Sequence, residues 1–179
     1  MSVNNQHYLV ATVLGSDQIG ILEAFTKISK QCGCNIVESK LASIGEECAL
    51  IFHYAGIWNT IAKLEATLPA LCQQLGVALQ MKRTSLRQSP SASLPYQIHV
   101  TAHDRTGILN ELAYFFLQNR ISIDKMESET YKARNGSLLT NITFAVNIPA
   151  KRSLSELRER FIIYCDERNL DAMIEPHRY

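Results

Sequence analysis

Two short motifs carry the residue types best suited to recognising a small molecule. Asp17-Gln-Ile-Gly20-Ile21-Leu22 and Asp104-Arg-Thr-Gly107-Ile108-Leu109 share the pattern Asp-x-x-Gly-Ile-Leu. Each precedes an apolar run with helical spacing, so each glycine falls at a helix start. Glycine there lets a ligand approach the backbone closely. The first-turn N–H groups lack intrahelical partners and can hold a carboxylate. Asp17 or Asp104 can meet an ammonium group, or can cap the helix and complement its dipole. Ile21, Leu22, Ile108 and Leu109 would fix the helix on a sheet. Asn35 can add an amide donor and acceptor, and Ser122 occupies the corresponding place in the second half. These ten residues are the candidate ligand site. A plainer reading stays open, in which the Asp is only a cap, the Gly only a turn and Asn35 only a strand entry.

Other groups point to less. His99 and His103 are four apart, but on a strand that spacing spans roughly 13 Å, too far to share a metal. Cys32-Gly-Cys34 lacks a second Cys/His pair at zinc-ligand spacing. The five cysteines read as free thiols of a reducing compartment. No nucleophile context and no phosphate-binding glycine loop is present. We therefore expect no catalytic residue, no metal and no cofactor. Arg158 and Arg160, with Arg152 and the intervening glutamates, suit a solvated helix face or a partner-docking surface.

The elements that must position the motifs repeat. Aligning Tyr8 with Tyr96 gives one extra turn residue in the first copy and an offset of 87 thereafter. Ile21, Leu22, Phe25 and Ile28, and then Ile108, Leu109, Leu112, Phe115 and Phe116, form apolar helical stripes. Two strands follow in each copy, near 36–43 and 48–55, then 122–131 and 137–148. Leu138, Thr140, Ile142, Phe144, Val146 and Ile148 alternate with more polar neighbours. Gly45 and Asn135-Gly136 supply turns. A second helix carries Ile61, Leu64, Leu68, Leu71 and Leu75, or Leu154, Leu157, Phe161 and Tyr164. Pro69 is expected to kink or restart the first of these. Ser153 with Glu156 makes a capping box. Val77, Leu79 and Met81, and Leu170, Ala172 and Ile174, close each copy.

The order is βαββαβ twice, an α+β chain of two ferredoxin-like domains, each a four-stranded antiparallel sheet with two helices on one face. The expected boundaries are 1–83 and 96–179, with a Pro/Ser-rich linker at 84–95. Hydrophobic residues make up 46% and charged residues 20%, a globular composition, and the net charge of +1 does not favour a free-standing DNA-binding surface. No apolar stretch approaches membrane-spanning length and no secretory signal is evident, so a cytoplasmic protein is expected. Strand Glu47–Tyr54 and its counterpart Ser137–Phe144 lack the aromatic pattern of RNA-recognition modules.

Asp-x-x-Gly-Ile-Leu, found twice at matching places and followed in the first copy by Asn35-Ile36, resembles the ACT domain, a regulatory module that commonly binds small molecules, often amino acids. A chain built only of two such modules resembles the glycine cleavage system transcriptional repressor family. That resemblance implies a cytoplasmic bacterial regulator, with glycine as signal, acting through a DNA-binding activator rather than on DNA directly. The alternative is a regulatory subunit for an enzyme of amino-acid metabolism. Pairing between modules, within or between chains, also fits.

Overall fold

In a computed structural model, residues 6–86, 93–150 and 153–177 are described. The chain divides into two units, Met1–Gln88 and Ser89–Tyr179. Residues 87–92, at the heart of the expected linker, and Arg152 lie outside the described residues.

The first unit runs β1 (His7–Ser16), α1 (Ile21–Cys32), β2 (Asn35–Ile44), β3 (Glu47–Gly56), α2 (Trp58–Leu75) and β4 (Ala78–Thr84). Its strands form one antiparallel sheet in the order β2-β3-β1-β4. Strand alternation gives that sheet a buried face: Leu9, Ala11 and Val13 of β1 pack beside Leu50, Phe52 and Tyr54 of β3. Helix α1 brings Ile21, Phe25, Ser29 and Cys32 onto this face, and α2 brings Ile61, Leu64, Leu68 and Cys72. The rings of Phe25, Phe52 and Tyr54 stack in sequence at 5.5 and 5.4 Å. Each fully buried Phe or Leu contributes about 1.5–3 kcal/mol relative to exposure. That burial explains Pro69: α2 runs unbroken through it. The stripe Leu64-Leu68-Cys72 anchors both sides of the proline, which offsets its missing N–H.

The second unit runs β5 (Ser93–His103), α3 (Ile108–Gln118), β6 (Ser122–Lys132), β7 (Leu138–Pro149), α4 (Leu154–Asp166) and β8 (Asp171–Pro176). The sheet order is β6-β7-β5-β8, the same topology. Ile98, Val100 and Ala102 face Phe144, Ile142 and Thr140 on its buried side. Phe115, Phe116, Phe144 and Phe161 fill the core. Ser153 caps α4 as expected, accepting the Glu156 N–H at 3.4 Å. β5 begins at Ser93, ahead of Tyr96, because Ser93 and Leu94 pair with Pro149 and Ile148.

The strand registers correct the repeat alignment. Ser16 pairs with Glu47, and His103 with Leu139. The N–H of Asp17 reaches Glu46 O at 3.1 Å, and that of Asp104 reaches Leu138 O at 3.0 Å. Asp17 and Asp104 are thus equivalent, and the residue equivalent to Tyr96 is Leu9, not Tyr8. The first copy has no extra turn residue. The added length lies in the β6–β7 hairpin of the second unit, where Lys132 is followed by five residues before β7, against two between β2 and β3.

Candidate ligand site

The two Asp-x-x-Gly turns sit between the first strand and first helix of each unit. Neither aspartate caps a helix. The N-cap residues are Gly20 and Gly107, both left-handed at φ 93° and 99°, without side-chain caps. Only glycine adopts this conformation without strain. It turns the chain into the helix, and Gly20 O and Gly107 O accept the N–H of Ala24 and Glu111, each at 3.0 Å. The aspartates, three residues earlier, face the sheet instead. Ser43 Oγ donates to Asp17 Oδ2 at 3.0 Å. In the second unit Asp104 Oδ1 accepts from Thr140 at 2.8 Å and from Thr130 at 3.5 Å. Asp17 thus ties its turn to the end of β2, and Asp104 ties its turn to the start of β7 and the end of β6.

A second tether holds the other side of each turn. Gln18 Nε2 donates to Leu75 O at 3.1 Å, at the end of α2. Arg105 donates to Arg168 O at 3.4 Å, just past the end of α4. Arg105 also forms a bidentate pair with Glu111, both contacts at 2.7 Å. That guanidinium holds the Glu111 carboxyl below the usual carboxylate range, by hydrogen bonding first and charge second. These anchors were missed in the sequence. The signal was available: at the offset of 87, Ser43 falls on Thr130 and Gln18 on Arg105, both pairs able to hydrogen-bond.

The apolar pairs split. Ile21 and Ile108 are buried, but Leu22 is 45% exposed and Leu109 39%. A helical step of 100° puts Leu22 and Leu109 off the inward stripe, so only the isoleucines fix the helices on the sheets. Ile19, Leu14 and Ile44 are also exposed, giving the first turn an apolar surround. Their counterparts in the second unit are Thr106, Thr101 and Tyr131.

Asn35 and Ser122 stand elsewhere. Asn35 pairs with Ala55 at the end of the sheet where β1 begins, whereas Asp17 follows Ser16 at the end where Glu47 lies. Eight ladder positions, roughly 27 Å, separate the two ends. Ser122, opposite Asn147, is equally remote from Asp104. Within one unit the turn and the asparagine do not share a site. Asn35 instead lines a shallow hollow of about 560 Å³ with Gly33, Gly56 and Thr60.

The five thiols are free and buried. Burial raises the Cys34 thiol, and pushes Cys165 up to about 12. His99 contacts Thr143 at 3.3 Å and Glu175 at 3.5 Å rather than His103. Among the described residues no group of three His, Cys, Asp or Glu side chains could hold a metal, and no helix is long and apolar enough to cross a membrane.

Comparison with known proteins fits this layout. The ACT-domain family model matches residues 7–82. The glycine cleavage system transcriptional repressor of Escherichia coli (strain K12) is 32% identical over 180 residues, covering all of this chain and 95% of that protein. The chain belongs to the glycine cleavage system transcriptional repressor family. The Shigella flexneri member matches to the same extent. A crystal structure assigned to a repressor of this family superposes with a TM-score of 0.76 at 26% identity, covering 97% of this chain and 99% of that one. A protein from Galdieria sulphuraria shares the fold, with a TM-score of 0.77 at 24% identity and the same coverage. The family is one of regulatory proteins, and ACT domains bind amino acids.

Proposed function

We propose that the protein is a cytoplasmic, non-enzymatic regulator that senses glycine and represses transcription of the glycine cleavage system through a DNA-binding activator. The observation that carries this reading is the doubly tethered Asp-x-x-Gly turn. A turn held at Asp17 and Gln18, or at Asp104 and Arg105, is preorganised and loses little entropy on binding. The helix-start amides beyond Gly20 and Gly107 hold the ligand carboxylate. The carboxylate oxygen that Ser43 or Thr140 does not occupy meets the ammonium group. Ile21 and Ile108 keep the amides in place, while Leu22 and Leu109 border the ligand. Asn35 and Ser122, remote from the turns, take no part in a site confined to one unit. Net charge +1 suits action through a protein rather than on DNA.

Isothermal calorimetry with glycine on the full chain tests the sensing step. Saturable heat that weakens in Asp17→Ala or Asp104→Ala supports it. Absence of heat with glycine, alanine and serine sinks it. Affinity capture from cells with and without glycine then tests the regulatory step. A DNA-binding activator should be recovered in a glycine-dependent way. Recovery of a metabolic enzyme instead would make the protein a regulatory subunit.

A further inference from the structure

The two units differ in how their helices meet. In the first, α1 and α2 are bridged along their faces: Cys32 Sγ lies 3.9 Å from Thr67 Oγ1, and Lys63 Nζ donates to Gln31 O at 3.2 Å. In the second, the positions of Cys32 and Thr67 are taken by Asn119 and Arg160. Asn119 is buried and turned back onto its own helix, its Nδ2 donating to Phe115 O at 2.8 Å. Arg160 is exposed and forms no ion pair among the described residues. Between α3 and α4 a cleft of about 320 Å³ remains.

Tyr114, Phe115 and Tyr164 line the cleft, with Gln118 and Asn119 at one end, and two of these rings are held in place. Phe115 and Tyr164 lie 5.0 Å apart between ring centres. Tyr164 OH donates to Glu111 O at 2.9 Å, and the Arg168 guanidinium sits 3.6 Å over the Tyr164 ring. Tyr114 and Ile163 flank the opening, 56% and 51% exposed. Arg160 and Glu167 also line it, Arg160 from within α4 and Glu167 from just past its end.

We propose that this cleft binds a small aromatic carboxylate, its ring between Tyr114 and Ile163 on the Phe115–Tyr164 floor and its carboxylate on Arg160. The volume is at the small end for ligand sites and suits one ring with a short chain. Aromatic walls favour offset or edge-on ring contact. The unpaired guanidinium offers a fork for a carboxylate. Glu167 is already paired with Arg168, 3.3 Å away, which leaves Arg160 as the cation open to the ligand carboxylate. The site is distinct from the Asp-x-x-Gly turns and does not depend on glycine sensing.

Residue-resolved amide NMR of the full chain, titrated with phenylacetate, tests the assignment. Shifts should concentrate in residues 114–119 and 160–167. The uncharged 2-phenylethanol should bind more weakly, by about tenfold. Arg160→Gln should weaken phenylacetate about tenfold and leave 2-phenylethanol unchanged. Ile163→Glu should abolish both. No localised shift at about 10 mM phenylacetate overturns the proposal, as does equal binding of phenylacetate and 2-phenylethanol to the unmodified chain. That comparison needs no variant, so a misfolded one does not shelter the idea.

Discussion

Thr140 Oγ1 donates to Asp104 Oδ1 at 2.8 Å, from the middle of three strands to the turn that precedes α3. Ser43, the counterpart of Thr130 rather than of Thr140, donates to Asp17 from β2. The aspartate of each motif is therefore a brace between sheet and turn. Thr140→Val keeps the side-chain shape and removes the donor. Thr140 is nearly buried, and hydrogen bonds to charged acceptors are worth about 1.5–3 kcal/mol when well shielded. Asp104 is exposed, so a loss near 1 kcal/mol is expected in urea denaturation. A midpoint unchanged from the parent would mean that Thr130 or water takes over the brace.

Two left-handed residues follow the first helices at equivalent places: Gly33 at φ 75° and Arg120 at φ 54°. A side chain in this region costs roughly 1–2 kcal/mol. Gly33→Ala should destabilise by about 1 kcal/mol, since its new methyl meets only Thr60 Cγ2 at 3.5 Å and strain dominates. Arg120→Gly should stabilise by a smaller amount, because added freedom of the unfolded chain offsets part of the relief. Thermal melts of the pair should move in opposite directions.

The Arg105–Glu111 pair sets a pH dependence. Glu111 titrates lower folded than its ordinary value of 4.5. Its contribution is therefore complete above that value and is lost as pH falls through the folded pKa. The side chains are 40% and 29% exposed, so solvent screening keeps the effect below about 1 kcal/mol. Glu111→Gln should be less stable than the parent at pH 7, and the gap should close as pH falls through the lowered folded pKa of Glu111. A gap that persists at low pH would place the role of Glu111 in packing rather than charge.

All five cysteines are buried, and burial pushes Cys165 up to about 12. Thiolate is the reactive form. A disulfide reagent at pH 8 should modify the native protein slowly, and five thiols should react quickly in denaturant. Rapid labelling of the native protein would show that the cores open on the timescale of the assay.

Much of the fold was legible because burial imposes periodicity. The alternation of Ile142, Phe144, Val146 and Ile148 and the helical spacing of Ile61, Leu64 and Leu68 each reflect one inward face, although the stripe of α2 continues through Cys72 rather than through the expected Leu71 and Leu75. The local site was less legible. Matching Tyr8 to Tyr96 by residue type displaced β1 by one, whereas the pleat requires Leu9 and Tyr96 to be equivalent. Asp17 and Asp104 have the chemistry of a cap, but a left-handed glycine already starts each helix and the carboxylates turn to strand hydroxyls. Asn35 is only eighteen residues from Asp17, but α1 carries the chain to the other end of the sheet. Residue spacing does not report such a distance.

The lengthened β6–β7 hairpin bears on how the two halves diverged. If they descend from one duplicated gene, the hairpin tip has absorbed insertion. The stretch from turn to helix to next strand has kept its residue count, with Asp17, Gly20, Ile21 and Asn35 each 87 places before Asp104, Gly107, Ile108 and Ser122. A single insertion within that stretch would rotate the helix by about 100° and turn its buried stripe away from the sheet. The hairpin tip bears no such constraint. It is therefore the place where a tag or reporter can be inserted with least disturbance to either turn.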